Sequence, residues 1–72
     1  MNLGEYLQMC RVKCGISRYA LAKAAGLNRQ HIKNIETGKL LRPNFFAVAR
    51  IATVLNVSLD EIYSAVSEPD DN

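Results

Sequence analysis

Metal and disulfide chemistry have little to work with in this sequence, which holds one histidine, His31, and two cysteines, Cys10 and Cys14. A structural zinc site takes four ligands, so no metal and no other cofactor is expected. The cysteines fall four residues apart on one predicted helix, along the same face, a poor placement for a disulfide. Two reduced, mostly buried thiols are expected instead. With a single histidine, neither Ser17 nor Cys10 has a credible base and orienting acid nearby. Glycine-rich phosphate loops are also missing, and the chain is not expected to be an enzyme. No apolar run approaches the roughly 20 residues that span a bilayer. The first residues, Met1-Asn2-Leu3-Gly4-Glu5, lack the basic and apolar regions of a signal peptide. A cytoplasmic protein without membrane association is the expectation. Strand signals, internal repeats and low-complexity linkers are absent as well.

What is there fits a single domain, since 72 residues leave room for one. Its core is small, because domains of roughly 60 residues bury only about 60% of their unfolded surface. Hydrophobic residues make up 49%, an ordinary share that argues against disorder. The net charge of +2 hides an uneven distribution. All nine bases fall between Arg11 and Arg50, with Glu36 the one acid among them, a local net of +8. The residues after Arg50 hold Asp60, Glu61, Glu68, Asp70 and Asp71 and no base. A basic middle between acidic ends suits a polyanion on one face, and equally a solvated face with scattered lysines.

Leu3, Tyr6, Leu7, Cys10 and Cys14 follow helical spacing and predict a first helix that ends at Gly15. Ser17 is a fair N-cap for a second, with Leu21, Ala22 and Ala25 inward and Gly26 as its stop. Asn28 is a strong N-cap for a third. Its inward pair is Ile32 and Ile35; its outward set, Arg29, Gln30, His31, Lys33 and Asn34, is polar without an acid. Gly38 is expected to close it. Lys39 to Pro43 forms a loop in which Leu40 and Leu41 are oddly apolar. Asn44 caps a fourth helix with Phe45, Val48, Ile51, Ala52 and Leu55 inward, and Asn56 can supply its left-handed C-cap. Ser58 and Glu61 make a capping box for a short fifth helix, whose Ile62 and Leu59 are expected to face the core.

The second and third helices meet across a very short turn, Gly26-Leu27, the arrangement that puts the second of the pair in the major groove. The spacing Ala22-x3-Gly26-x5-Ile32 has a steric basis: a small residue at the helix crossing, glycine at the turn and a branched side chain filling the angle from inside. With Ile35, Glu36 and Gly38 following, residues Leu7 to Ile62 resemble the Cro/repressor-type (XRE-like) family of helix-turn-helix domains. The segments that match are Gly15-Ile16-Ser17, Leu21-Ala22, Gly26-Leu27-Asn28, Ile32-x2-Ile35-Glu36-x-Gly38-Lys39, Arg42-Pro43 and Leu55 through Ile62. The loop and fourth helix look most like lambdoid phage repressors and Cro proteins. The sequence departs from the family in having Arg18 where Gln is frequent and Asn56 where Gly is frequent.

The resemblance implies an all-α, compact five-helix, lambda-repressor-like domain over residues 1–66, with the helix-turn-helix at 17–36. Residues 67–72 are expected to form a loose acidic tail. It also implies that Arg29, Gln30 and Asn34 meet base edges, which suits their chemistry, since Arg pairs with guanine and Gln or Asn with adenine. Phosphate binding is the alternative for Arg29 and Gln30. Arg18, Asn28, His31, Lys33, Lys39 and Arg42 are candidates for the DNA backbone, with Tyr19 and Lys23 weaker ones. Family positions equivalent to Arg11 and Glu36 form a partly buried ion pair that ties the first helix to the third. Val57, Leu59 and Tyr63 are candidates for a two-fold interface, or merely complete the core. The expected function is a sequence-specific double-stranded-DNA-binding regulator, a homodimeric repressor from a bacterium, phage or mobile element. An antitoxin that neutralises a partner toxin and represses its own promoter is the alternative. Phe46, Leu40 and Leu41 would then serve the protein partner, a toxin or antirepressor. A thiol sensor built on Cys10 and Cys14 is a third, weaker possibility.

Overall fold

Each helix starts where a short polar side chain can accept from a free backbone N–H. The computed structural model describes residues 1–67, and among them five helices: α1 (Leu3–Cys14), α2 (Arg18–Ala25), α3 (Arg29–Glu36), α4 (Phe45–Leu55) and α5 (Leu59–Val66). No strand occurs among the described residues. Residues 68–72 lie outside them, and so does most of the acidic tail expected at 67–72. Ser17 Oγ accepts from Ala20 N at 3.0 Å, and Asn28 Oδ1 from His31 N at 2.8 Å. Asn44 Oδ1 accepts from Phe46 N at 2.7 Å. Ser58 and Glu61 form the capping box, and Asn2 and Glu5 form a second one that opens α1. Asn56 takes the left-handed conformation at φ 59°, closing α4 as a glycine would. The end of α3 differs from expectation. It stops at Glu36 with Thr37 as cap, because the Thr37 hydroxyl donates to Lys33 O at 2.8 Å, and Gly38 belongs to the turn that follows.

The core is built on Leu7, Leu21, Ile32, Ile35 and Ile51, all almost fully buried, with Ala22, Ala25, Ala52, Leu55 and Ile62 between them. α2 packs against α3 and α4, and α1 lies across α3, α4 and α5. The α1 face turned to α3 reads Gly4, Leu7 and Arg11. A Cβ at Gly4 would run into the Ile35 carbonyl and stand 3.0 Å from Glu36 O, so the two backbones approach as only glycine allows.

Three burial expectations fail. Phe45 is 60% exposed, and Ala47 takes the core position. From Ile51 back to Phe45 is six residues, a rotation of about 240° at 3.6 residues per turn, so the ring leaves the inner face. Cys14 is exposed at the end of α1, where its thiol meets only the Leu55 carbonyl at 3.8 Å, whereas Cys10 is buried; both are free. Leu59 is 40% exposed and only Ile62 of α5 is fully in the core. Beside α5, a hydrogen bond with Cys10 and burial hold the Tyr6 phenol above its usual pKa, with lesser contributions from Cys10 and Glu61 charge.

Candidate nucleic-acid interface

Gly26 at φ 72° turns the chain at the end of α2, and its N–H closes the helix onto Lys23 O. The next bond, Leu27 N to Ala22 O at 2.8 Å, completes the turn. Two residues later Asn28 caps α3, so the first turn of α3 projects outward while Ile32 and Ile35 fill the angle below. This commits the inner face of α3 to the core and fixes which residues look out. Arg29, Gln30 and Lys33 are exposed, and His31 and Asn34 are half-buried. The Asn28 side-chain oxygen is occupied by its capping bond.

Arg18, Arg29, Gln30 and Lys33 line a cleft of 290 Å³ between the start of α2 and the outer face of α3. Three of its four lining residues are cations and none is an acid. On the outer face of α3 Gln30 Nε2 donates to Asn34 Oδ1 at 3.0 Å. Lys39 and Arg42 stand exposed in the loop beyond α3. That loop is folded back by Leu40, whose N–H donates to Asn34 O at 2.9 Å and whose side chain packs on the core. Leu41, by contrast, is 71% exposed, and Phe45 and Phe46 at the start of α4 are exposed as well. The two phenylalanine rings meet edge to face, with centroids 5.4 Å apart. Lys23 Nζ stands 6.0 Å over the Tyr19 ring, on the neighbouring surface of α2.

Behind this face, Glu36 is a hub. Its carboxylate, 1% exposed, accepts from Arg11 Nε at 2.6 Å, Arg11 Nη2 at 3.0 Å and Arg18 Nε at 2.8 Å. Arg11 Nη1 donates onward to Ile16 O at 2.8 Å. One carboxylate therefore joins α1, α2 and α3, and it neutralises charge on the side of Arg18 away from the cleft. The sequence shows Arg18 only as a cation at a helix N-terminus. Its bond to Glu36 crosses between helices 18 residues apart, which spacing cannot reveal. The one available signal was that Glu36 is the sole acid among nine bases, more cations than a single partner accounts for. The Gln30–Asn34 pair is different: its i, i+4 spacing is visible in the sequence.

Residues 7–62 match the protein family described as helix-turn-helix. The chain belongs to this XRE-type family. The domain is accordingly a DNA-binding transcription regulator, and the match spans all five helices, from the middle of α1 to Ile62 in α5. Among the described residues no helix is long and apolar enough to cross a membrane. Val57 is half-buried and packs on the core, whereas Tyr63, on the far side of α5, is 72% exposed.

Proposed function

We propose that the domain is a sequence-specific repressor that binds a palindromic operator as a homodimer. The observation that carries this is the outer face of α3, an acid-free surface whose inner side is locked in the core and whose first turn is exposed. In this reading Arg29, Gln30 and Asn34 form the base-edge face in the major groove. Arg18, Asn28, His31, Lys33, Lys39 and Arg42 hold the phosphates on either side. Arg18 keeps Nη1 and Nη2 for that contact while Nε stays on Glu36. A single α3 reads only a few base pairs, so useful affinity calls for two half-sites about one helical turn apart. The exposed Tyr63 and Leu59, with Val57, support the two-fold contact. The protein acts in the bacterial cytoplasm, encoded by the bacterium or by its phage, with DNA and its own second copy as partners.

Selection from random oligonucleotides followed by footprinting tests the proposal. It should return an inverted repeat with half-sites about 10 base pairs apart, centre to centre. A site without two-fold symmetry refutes the dimeric operator. One observation favours the antitoxin reading as a second choice: the large apolar side chains Leu41, Phe45 and Phe46 are all exposed. A small toxin gene adjoining this one, and a stable complex with its product, would decide for it.

A further inference from the structure

The bond from Gln30 Nε2 to Asn34 Oδ1, 3.0 Å long, joins two of the three residues placed on the base-edge face. A primary carboxamide carries one acceptor oxygen and two N–H donors. A bidentate contact to adenine uses the oxygen and one N–H, against N6 and N7 of the base. The second N–H of Gln30 is then left over, and Asn34 supplies its acceptor. The two partners are not equally free. Gln30 is exposed, whereas Asn34 is half-buried and has the shorter side chain, with one rotatable bond fewer. The better-held residue therefore orients the looser one. A long side chain fixed before contact loses less rotamer freedom on binding.

We propose that Asn34 is a positioning residue: it holds the Gln30 carboxamide in the plane that reads adenine, so the two residues specify one base pair together. Asn34 does not read a second base pair of its own. An exposed bond of this kind adds little to the free protein. It strengthens when DNA excludes water from the helix face. Its effect therefore falls on specificity and not on folding. The proposal rests on α3 as the base-reading helix.

The test is site selection with the full chain and its Gln30→Ala, Asn34→Ala, Asn34→Asp and Gln30→Ala/Asn34→Ala variants. Preference is scored at each base pair and thermal melts are run alongside. A preference is a ratio measured on one protein, so a lowered folded fraction cancels. Gln30→Ala should lose roughly 5- to 150-fold in preference at one base pair per half-site, the range of a bidentate contact. Asn34→Ala should relax the same base pair by a smaller factor with an unchanged melt, and the double variant should look like Gln30→Ala alone. Asn34→Asp keeps the acceptor, so it should retain that preference while weakening all sequences together through its added negative charge. The proposal is overturned if Asn34→Ala relaxes a different base pair, relaxes none, or adds its loss to that of Gln30→Ala. It is also overturned if Asn34→Asp relaxes the site as far as Asn34→Ala. If Gln30→Ala weakens specific and non-specific DNA by one factor, the base-reading role of α3 fails first, and this proposal with it.

Discussion

Replacing Glu36 by Gln keeps the shape of the side chain and removes the charge that two arginines share. Arg11 is left 11% exposed with no counter-charge, while Arg18, at 28%, can turn toward water. Breaking a buried pair from one side costs about 3–5 kcal/mol, and the lower end applies here because Arg18 can relax. A domain of this length is expected to hold about 4–10 kcal/mol in all, from roughly 0.05–0.15 kcal/mol per residue. Glu36→Gln should thus remove about a third or more of the stability. At 4–8 °C per kcal/mol for domains of this size, the midpoint should fall by roughly 12–24 °C. The arginine variants should be milder and unequal. Arg18→Ala leaves Arg11 on both carboxylate oxygens and should cost about 1 kcal/mol or less. Arg11→Ala strips two contacts from Glu36 and one from Ile16 O, and should cost about 2 kcal/mol. The double variant strands a buried carboxylate, so it should exceed the sum of the singles by about 1–3 kcal/mol. Thermal and urea melts of the four proteins complete the cycle. Additivity within about 0.5 kcal/mol would refute the shared-carboxylate account, as would a Glu36→Gln midpoint within a few degrees of the parent.

Gly4→Ala should destabilise by about 1–3 kcal/mol, as overpacking does, because its methyl meets the Ile35 carbonyl; a neutral melt would show that α1 can move away. Operator affinity should fall on a log–log plot against salt by about 0.9 per neutralised phosphate, and a flat response up to physiological salt would contradict phosphate anchoring. Lys39→Ala should weaken all sequences together and lower that slope by about one; a loss confined to the operator would make Lys39 a base reader. Tyr63→Ala should weaken self-association with little effect on the melt, given the 72% exposure of this residue. Sedimentation of the parent as a monomer at high concentration, free and on DNA, would dispose of the two-fold interface.

Much of the fold was fixed by local chemistry. Ser17, Asn28, Asn44 and Ser58 cap helices because a short side chain reaches an N–H only two or three residues ahead. Gly15, Gly26 and Asn56 end helices because the left-handed conformation excludes most other residues. Periodicity settles the inner face of α3, hence its outer face, so the polar set Arg29, Gln30, His31, Lys33 and Asn34 is legible in the sequence. What helical spacing could not settle was the first turn of α4, where Phe45 and Ala47 both follow a cap and only the packed neighbours choose the face. Cys14 and Leu59 failed for the same reason: periodicity assigns a side, but coverage at a helix end depends on which other element reaches it. The tertiary structure alone decided that Glu36 serves Arg18 as well as Arg11, and that Gly4 sits where two backbones nearly touch. Both are contacts between segments far apart in the chain, set by the crossing of α1, α2 and α3. Local sequence specifies caps, turns and faces because those interactions close within a few residues. The helix crossings, and the charge hub behind the outer face of α3, exist only once the core has fixed the helices in space.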